Sequence, residues 1–186
     1  MKKIIVKCKI DSRDQFEDKL SEIDLDFSPI YWQHDRVYVP RGYKQGMNLP
    51  RLVMTTEVKA VDRPANYTLV LRRHIEDSGI DVVEETPVKD YAGMVNIIMQ
   101  LGFKQLSEFS MRRQEIQMDD KTVLYLDSID NEKGYYVKLE TEVADEDSIN
   151  DMKRELVKTL DSLGARDVVR YSYGEHEENL IRKNYP

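Results

Sequence analysis

Charged residues recur at every second position along several stretches of this chain, opposite apolar ones. In "GYYVKLETEV" (134–143), Tyr136, Lys138, Glu140 and Glu142 share one face, while Val137, Leu139, Thr141 and Val143 share the other. The same parity groups Lys7 with Lys9, Arg51 with Thr55 and Glu57, Arg72 with His74, Glu84 with Thr86, Arg113 with Glu115, and Tyr125 with Asp127. Cations concentrate on some stretches and carboxylates on others. Lysines and arginines gathered on one surface hold phosphate oxygens, and an arginine can grip two at once. One to three carboxylates hold Mg2+ or Mn2+ together with waters, one of which can serve as a nucleophile. The plain alternative is a sheet with one solvated side, which alternation by itself describes as well.

The stretches that carry this pattern must be strands. "KIIVKCKI" (3–10) alternates Ile4, Val6, Cys8 and Ile10 against Lys3, Ile5, Lys7 and Lys9. "DRVYV", "RLVMTTEV" (51–58), "YTLVLRRHI" (67–75), "IDVVEETPV" (80–88), "SEFSMRRQEIQM" (107–118) and "TVLYLDSI" (122–129) read as further strands, with "EDSG" (76–79) as a hairpin link. Three segments read as helices instead. Phe16, Leu20 and Ile23 follow a possible Asp11 or Ser12 N-cap; Tyr91, Val95, Ile98 and Leu101 precede a Gly102 stop; and Ile149, Met152, Leu156, Leu160 and Leu163 precede Gly164. A last strand "DVVRYSY" and a short helix from about residue 174 close the chain. "QLGFKQLSEFSMRR" is echoed loosely by "SLGARDVVRYSY", which suggests pseudo-symmetry. About eight antiparallel strands with turn-length links predict an α+β fold: a closed antiparallel barrel flanked by helices. If the apolar strand faces pack outward against those helices, the charged faces turn inward. With no Gly/Ser linker or charge tract to divide it, residues 1–186 read as a single domain.

Composition excludes several function classes. With 40% hydrophobic and 34% charged residues the chain is globular rather than disordered. No apolar run approaches the roughly 18–20 residues of a membrane span, and lysines interrupt "MKKIIVKCKID", so no signal peptide is expected. A single cysteine, Cys8, excludes an internal disulfide and fits a reducing, cytoplasmic setting. The net charge of −7 argues against a general nucleic-acid binder, although a basic lining inside an acidic shell is compatible with it. No phosphate-binding glycine loop, dinucleotide fingerprint or nucleophile elbow is present. His34, His74 and His176 lack zinc-ligand spacing. Cys8 and the methionines at 94, 99 and 152 read as packing, as do Tyr31 and Trp32, which could otherwise stack on a base.

The ordered series of strands resembles the CYTH family, the triphosphate tunnel enzymes that include class IV adenylyl cyclases, thiamine triphosphatases and inorganic tripolyphosphatases. Where that family opens with E-x-E-x-K-x-R, "KIIVKCK" keeps the basic half as Lys7 and Lys9. "QHDRVY" is similar to its Q-x-D signature at Gln33 and Asp35, with Tyr38 one position late. "LPRLV" retains Arg51, "VLR" retains Arg72, and Glu84 of "VVEET" resembles the acidic strand that follows. "LGFKQLSEFSMRR" keeps Arg113 but has Met111 where the family has lysine. "LDSI" keeps Asp127, and "GYYVKLE" and "SYGEHE" resemble the closing elements.

The resemblance implies a barrel that binds a triphosphate-bearing small molecule on Lys7, Lys9, Arg51, Arg72 and Arg113. Glu84, Asp127 and Glu140 would hold one Mg2+ or Mn2+, with Glu85 and Glu142 in reserve, and Lys7, Arg113 and Lys138 would act at the scissile phosphate. The chain departs from the pattern where the leading glutamates are Lys3 and Ile5 and where a ligand carboxylate is Lys138. An ammonium there could offset phosphate charge in place of a metal. Metal-dependent phosphohydrolysis therefore stands beside three other readings: cyclase chemistry, a non-catalytic nucleotide or polyphosphate binder, and an interaction barrel whose acidic helix 145–163 meets a partner. The expected partner is the triphosphate ligand, with no nucleic acid and no membrane, and with a homodimer left open.

Overall fold

In a computed structural model, the described residues are 2–10, 12–23, 25–44, 47–75, 80–130, 134–143 and 149–165. They form eight strands, β1 (Lys2–Ile10), β2 (Tyr31–Pro40), β3 (Arg51–Val58), β4 (Asn66–Ile75), β5 (Ile80–Val88), β6 (Phe103–Gln117), β7 (Thr122–Ile129) and β8 (Tyr135–Val143). Three helices join them: α1 (Arg13–Ser21), α2 (Tyr91–Gln100) and α3 (Ile149–Ser162). The strands close into one antiparallel barrel in the order β1-β5-β4-β3-β2-β6-β7-β8. An eight-stranded barrel is just wide enough inside for side chains or one small ligand. The strand and helix expected after residue 166, the "EDSG" link, Asp11 and His176 lie outside the described residues.

The helices cover the outside of the barrel, as amphipathic elements must when both faces of a sheet carry apolar residues. Ile4, Val6, Cys8, Leu124, Leu139 and their neighbours form the outer face of β1, β7 and β8, under Phe16 and Leu20 of α1 and Leu156 and Leu160 of α3. Tyr38, Met54 and Val88 form a second outer patch, under Ile98 of α2. Local signals start the helices where expected: Ser12 Oγ accepts from Gln15 N at 3.3 Å, and Asp90 Oδ1 accepts from Gly93 N at 2.9 Å. After α2, Gly102 takes φ +88°, and β6 begins at the next residue. Two stripe residues are not core. Ile23 lies beyond α1 and is half exposed, and Leu101 is 69% exposed because the α2 stripe outruns the patch of sheet beneath it.

The interior is less charged than alternation predicts. Ile5, Val37, Val53, Val70, Val83, Phe109, Met111 and Ile129, with the half-buried Tyr136, form an apolar cluster to which every strand contributes. The charged side chains occupy only part of the lumen, beside this layer.

Candidate functional site

The charged part of the lumen is a cavity of about 220 Å³. Ile5, Val70 and Val83 of the apolar layer form part of its wall. Four cations face it: Lys3 from β1, Arg72 from β4, Arg113 from β6 and Lys138 from β8. Four carboxylates face it as well: Asp35 from β2, Glu57 from β3, Glu85 from β5 and Glu140 from β8. Alternation puts all of them inside, because each lies an even number of residues from an apolar-layer residue of its own strand or, on β8, from Tyr136.

Internal ion pairs dominate this cavity. The Arg113 guanidinium grips Asp127 with both arms, Nε to Oδ1 at 2.6 Å and Nη2 to Oδ2 at 2.7 Å, and its Nη1 donates to Gln33 Oε1. Gln33 in turn donates to Asp35 Oδ1 at 2.8 Å. Glu140 accepts from Lys3 Nζ at 2.8 Å and from Lys138 Nζ at 3.0 Å, and Lys3 also pairs with Glu85. Lys138 Nζ sits 3.9 Å from the centroid of the Tyr125 ring, a cation–π contact across from β8 to β7.

These surroundings shift the titration of the buried groups. Burial alone would raise Glu140, but Lys138 and Lys3 outweigh it and hold the carboxyl down to about 2. Asp127 is likewise lowered against its burial, by Arg113 first and then by Lys138 and Lys7. Burial pushes Lys7 well below the ordinary lysine range, and the neighbouring Arg72 adds to the effect. For Lys3, burial acts downward, yet Glu140 and Glu85 hold it above its ordinary value.

The expected site residues divide accordingly. Arg72, Arg113, Lys138 and Glu140 meet at the cavity, and Lys7 stands beside them within electrostatic reach of Arg72, Arg113, Lys138 and Asp127. Lys9 does not join them: it is exposed near the end of β1, 5.8 Å from the Tyr136 ring centroid. Arg51 does not line the cavity either, and Nη2 donates instead to Tyr43 Oη at 3.2 Å. Glu84 is exposed on the outer face of β5, and Glu85 takes the inward position. The reason is visible in "DVVEET": Val82 and Val83 are both apolar, so parity along the strand is ambiguous until Val82 enters the outer core and Val83 the inner one. Lys3, which the family resemblance marks only as a lost carboxylate, shares the face of Ile5 and Lys7 and lines the cavity. Asp35 and Glu57 carried the same inward parity signal.

The carboxylates expected to hold Mg2+ or Mn2+ do not fit that role together. Glu84 points away from the lumen, both oxygens of Asp127 are bound to Arg113, and both oxygens of Glu140 are bound to ammonium groups. Among the described residues, no three His, Cys, Asp or Glu side chains are grouped to receive a metal ion.

Solved structures share this architecture. A protein from Pyrococcus horikoshii OT3 superposes with a TM-score of 0.79 at 19% identity, over 97% of this chain and 99% of that one. A candidate adenylate cyclase from Vibrio parahaemolyticus gives a TM-score of 0.76 at 14% identity, over 95% and 97% of the two chains. A Hippeastrum protein described as a candidate adenylyl cyclase with a dominant triphosphatase activity gives 0.60 at 14% identity, over 98% and 96%. The barrel has the triphosphate tunnel fold. No family model and no curated protein matches the sequence. No helix among the described residues is long and apolar enough to cross a membrane.

Proposed function

We propose that the barrel binds a triphosphate-bearing small molecule in this cavity and neutralises it with the chain's own cations. The observation that carries the reading is the meeting of Lys3, Arg72, Arg113 and Lys138 around one cavity, with Lys7 beside them, in a triphosphate tunnel barrel. Lysine ammonium groups act as point charges on phosphate oxygens, whereas a guanidinium bonds two of them in its plane. Partial exclusion of water strengthens each contact. Arg113 is already committed to Asp127 and Gln33, so it orients the wall, while Lys3, Lys138 and Arg72 take the phosphate chain. Burial disfavours the charged form of Lys7, and a polyanion bound beside it would favour that form.

A second reading is hydrolysis of the bound triphosphate. Asp35, Glu57 and Glu85 face the same cavity and could orient a water, and the Hippeastrum neighbour is described as a triphosphatase. One panel separates the two: thermal unfolding and phosphate release with tripolyphosphate, ATP and thiamine triphosphate, each with Mg2+, with Mn2+ and with EDTA. At ligand concentrations about 100-fold above Kd, binding stabilises by about 2.7 kcal/mol, a rise of roughly 5–11 °C for a chain of this size. A rise in EDTA without phosphate release supports the binder, and release on addition of metal supports the hydrolase. No shift with any ligand under any condition removes the proposal.

A further inference from the structure

We infer that Glu140 is the barrel's internal substitute for a bound phosphate, a carboxylate that competes with the ligand for Lys3 and Lys138. The inference rests on the triphosphate-binding reading of the cavity and gives Glu140 a role opposite in sign to that of a metal ligand. Its two oxygens are divided between two ammonium groups from different strands, Oε1 to Lys3 at 2.8 Å and Oε2 to Lys138 at 3.0 Å. All three side chains are largely buried: Glu140 and Lys138 each 8% exposed, Lys3 16%. A carboxylate bridged in this way presents to the two lysines what a phosphoryl group would, two anionic oxygens at hydrogen-bond distance. A divalent cation approaching the same oxygens would instead meet the two ammonium groups already bonded to them, a repulsion that no group of three His, Cys, Asp or Glu side chains among the described residues offsets.

The strands explain why this contact can open. Lys138 and Glu140 lie two residues apart on the same face of β8, and Lys3 reaches Glu140 from the adjoining β1, where Ile5 is the residue directly opposite. Each lysine has a second anchor that remains when Glu140 leaves. Lys138 rests on the Tyr125 ring, and Lys3 keeps Glu85 at the rim, whose side chain is 39% exposed. The ammonium groups therefore stay directed into the cavity, so an incoming anion displaces one carboxylate without having to order two long side chains. Anion affinity in the wild-type barrel is then the difference between the ligand's contacts and those of Glu140.

Isothermal titration of tripolyphosphate in EDTA tests this directly. Glu140→Gln keeps shape and removes the competing charge, so it is expected to bind at least about tenfold more tightly than wild type, the size of one charge-assisted hydrogen bond. Glu140→Ala removes the same carboxylate and leaves the Tyr125 and Glu85 anchors of the two lysines in place, so it is expected to strengthen binding likewise; it reads the same competition if Glu140→Gln folds poorly. Binding by either variant where wild type shows none also supports the inference. Equal or weaker affinity in the variants overturns it, as does wild-type binding that appears only with Mg2+ and is lost in Glu140→Gln. If neither wild type nor either variant binds tripolyphosphate, the triphosphate reading itself is overturned.

Discussion

Replacing Arg113 by methionine isolates the interaction on which the cavity wall is built. Arg113 is 4% and Asp127 1% exposed, and the two are joined by hydrogen bonds of 2.6 and 2.7 Å. Arg113→Met keeps an apolar side chain in place but leaves a buried carboxylate without its main counter-charge. Removing one partner of a buried pair costs about 3–5 kcal/mol, whereas replacing both by apolar groups is often close to neutral. Lys138 and Lys7 lie near enough to lower Asp127 in the native barrel, so they compensate in part and set the expectation near the lower limit, about 3 kcal/mol. That corresponds to a fall in Tm of roughly 6–12 °C. Urea denaturation at pH 7.5 and low ionic strength, followed by far-ultraviolet circular dichroism, reads the loss as a shift in midpoint with unchanged slope. The double variant Arg113→Met/Asp127→Leu should recover at least about half of the loss, the remainder being the donor that Gln33 no longer receives. A single variant costing less than about 1 kcal/mol, or a double variant no more stable than the single, would refute the argument that this pair is a dependent unit.

Two further expectations concern acid stability and the outer core. Because Glu140 is held at about 2, below its ordinary 4.5, its contribution is complete above about pH 4.5 and is lost as pH falls toward 2; it amounts to about 3 kcal/mol. Urea midpoints between pH 5 and pH 2.5 should therefore fall more steeply for wild type than for Glu140→Gln, and parallel curves would contradict the assignment. Leu160→Ala, at a fully buried position on the barrel-facing side of α3, should cost about 2–5 kcal/mol, whereas Leu101→Ala, 69% exposed beyond α2, should cost less than about 1 kcal/mol in the same assay.

Much of the barrel is legible in the sequence because strand alternation is local. In "KIIVKCKI" and "GYYVKLETEV" the alternate charges Lys3, Lys7 and Lys9, and Lys138, Glu140 and Glu142, mark one face, and the two stretches pair over nine residues as β1 and β8. Gly102 and Gly164, both at positive φ, mark helix ends that the apolar stripes also predict. Two strands ran longer than expected, β2 from Tyr31 and β6 from Phe103, since pairing with a neighbour extends a strand past the end of its own pattern.

What the sequence alone determined is which residues alternate, and hence an α+β barrel with charged side chains on one face of its strands. It could not determine parity where two valines adjoin, which is why Glu84 was expected inside and Glu85 is there. Nor could it show that an apolar layer from all the strands fills part of the lumen, leaving Lys9 and Arg51 off the cavity wall. Only closure of the barrel decided which charges meet. Lys3 and Glu140 are 137 residues apart in the chain and 2.8 Å apart in space, because β1 closes the barrel against β8. Spacing along the sequence does not show such a contact, and it is this pairing, together with that of Lys138, that occupies both oxygens of Glu140.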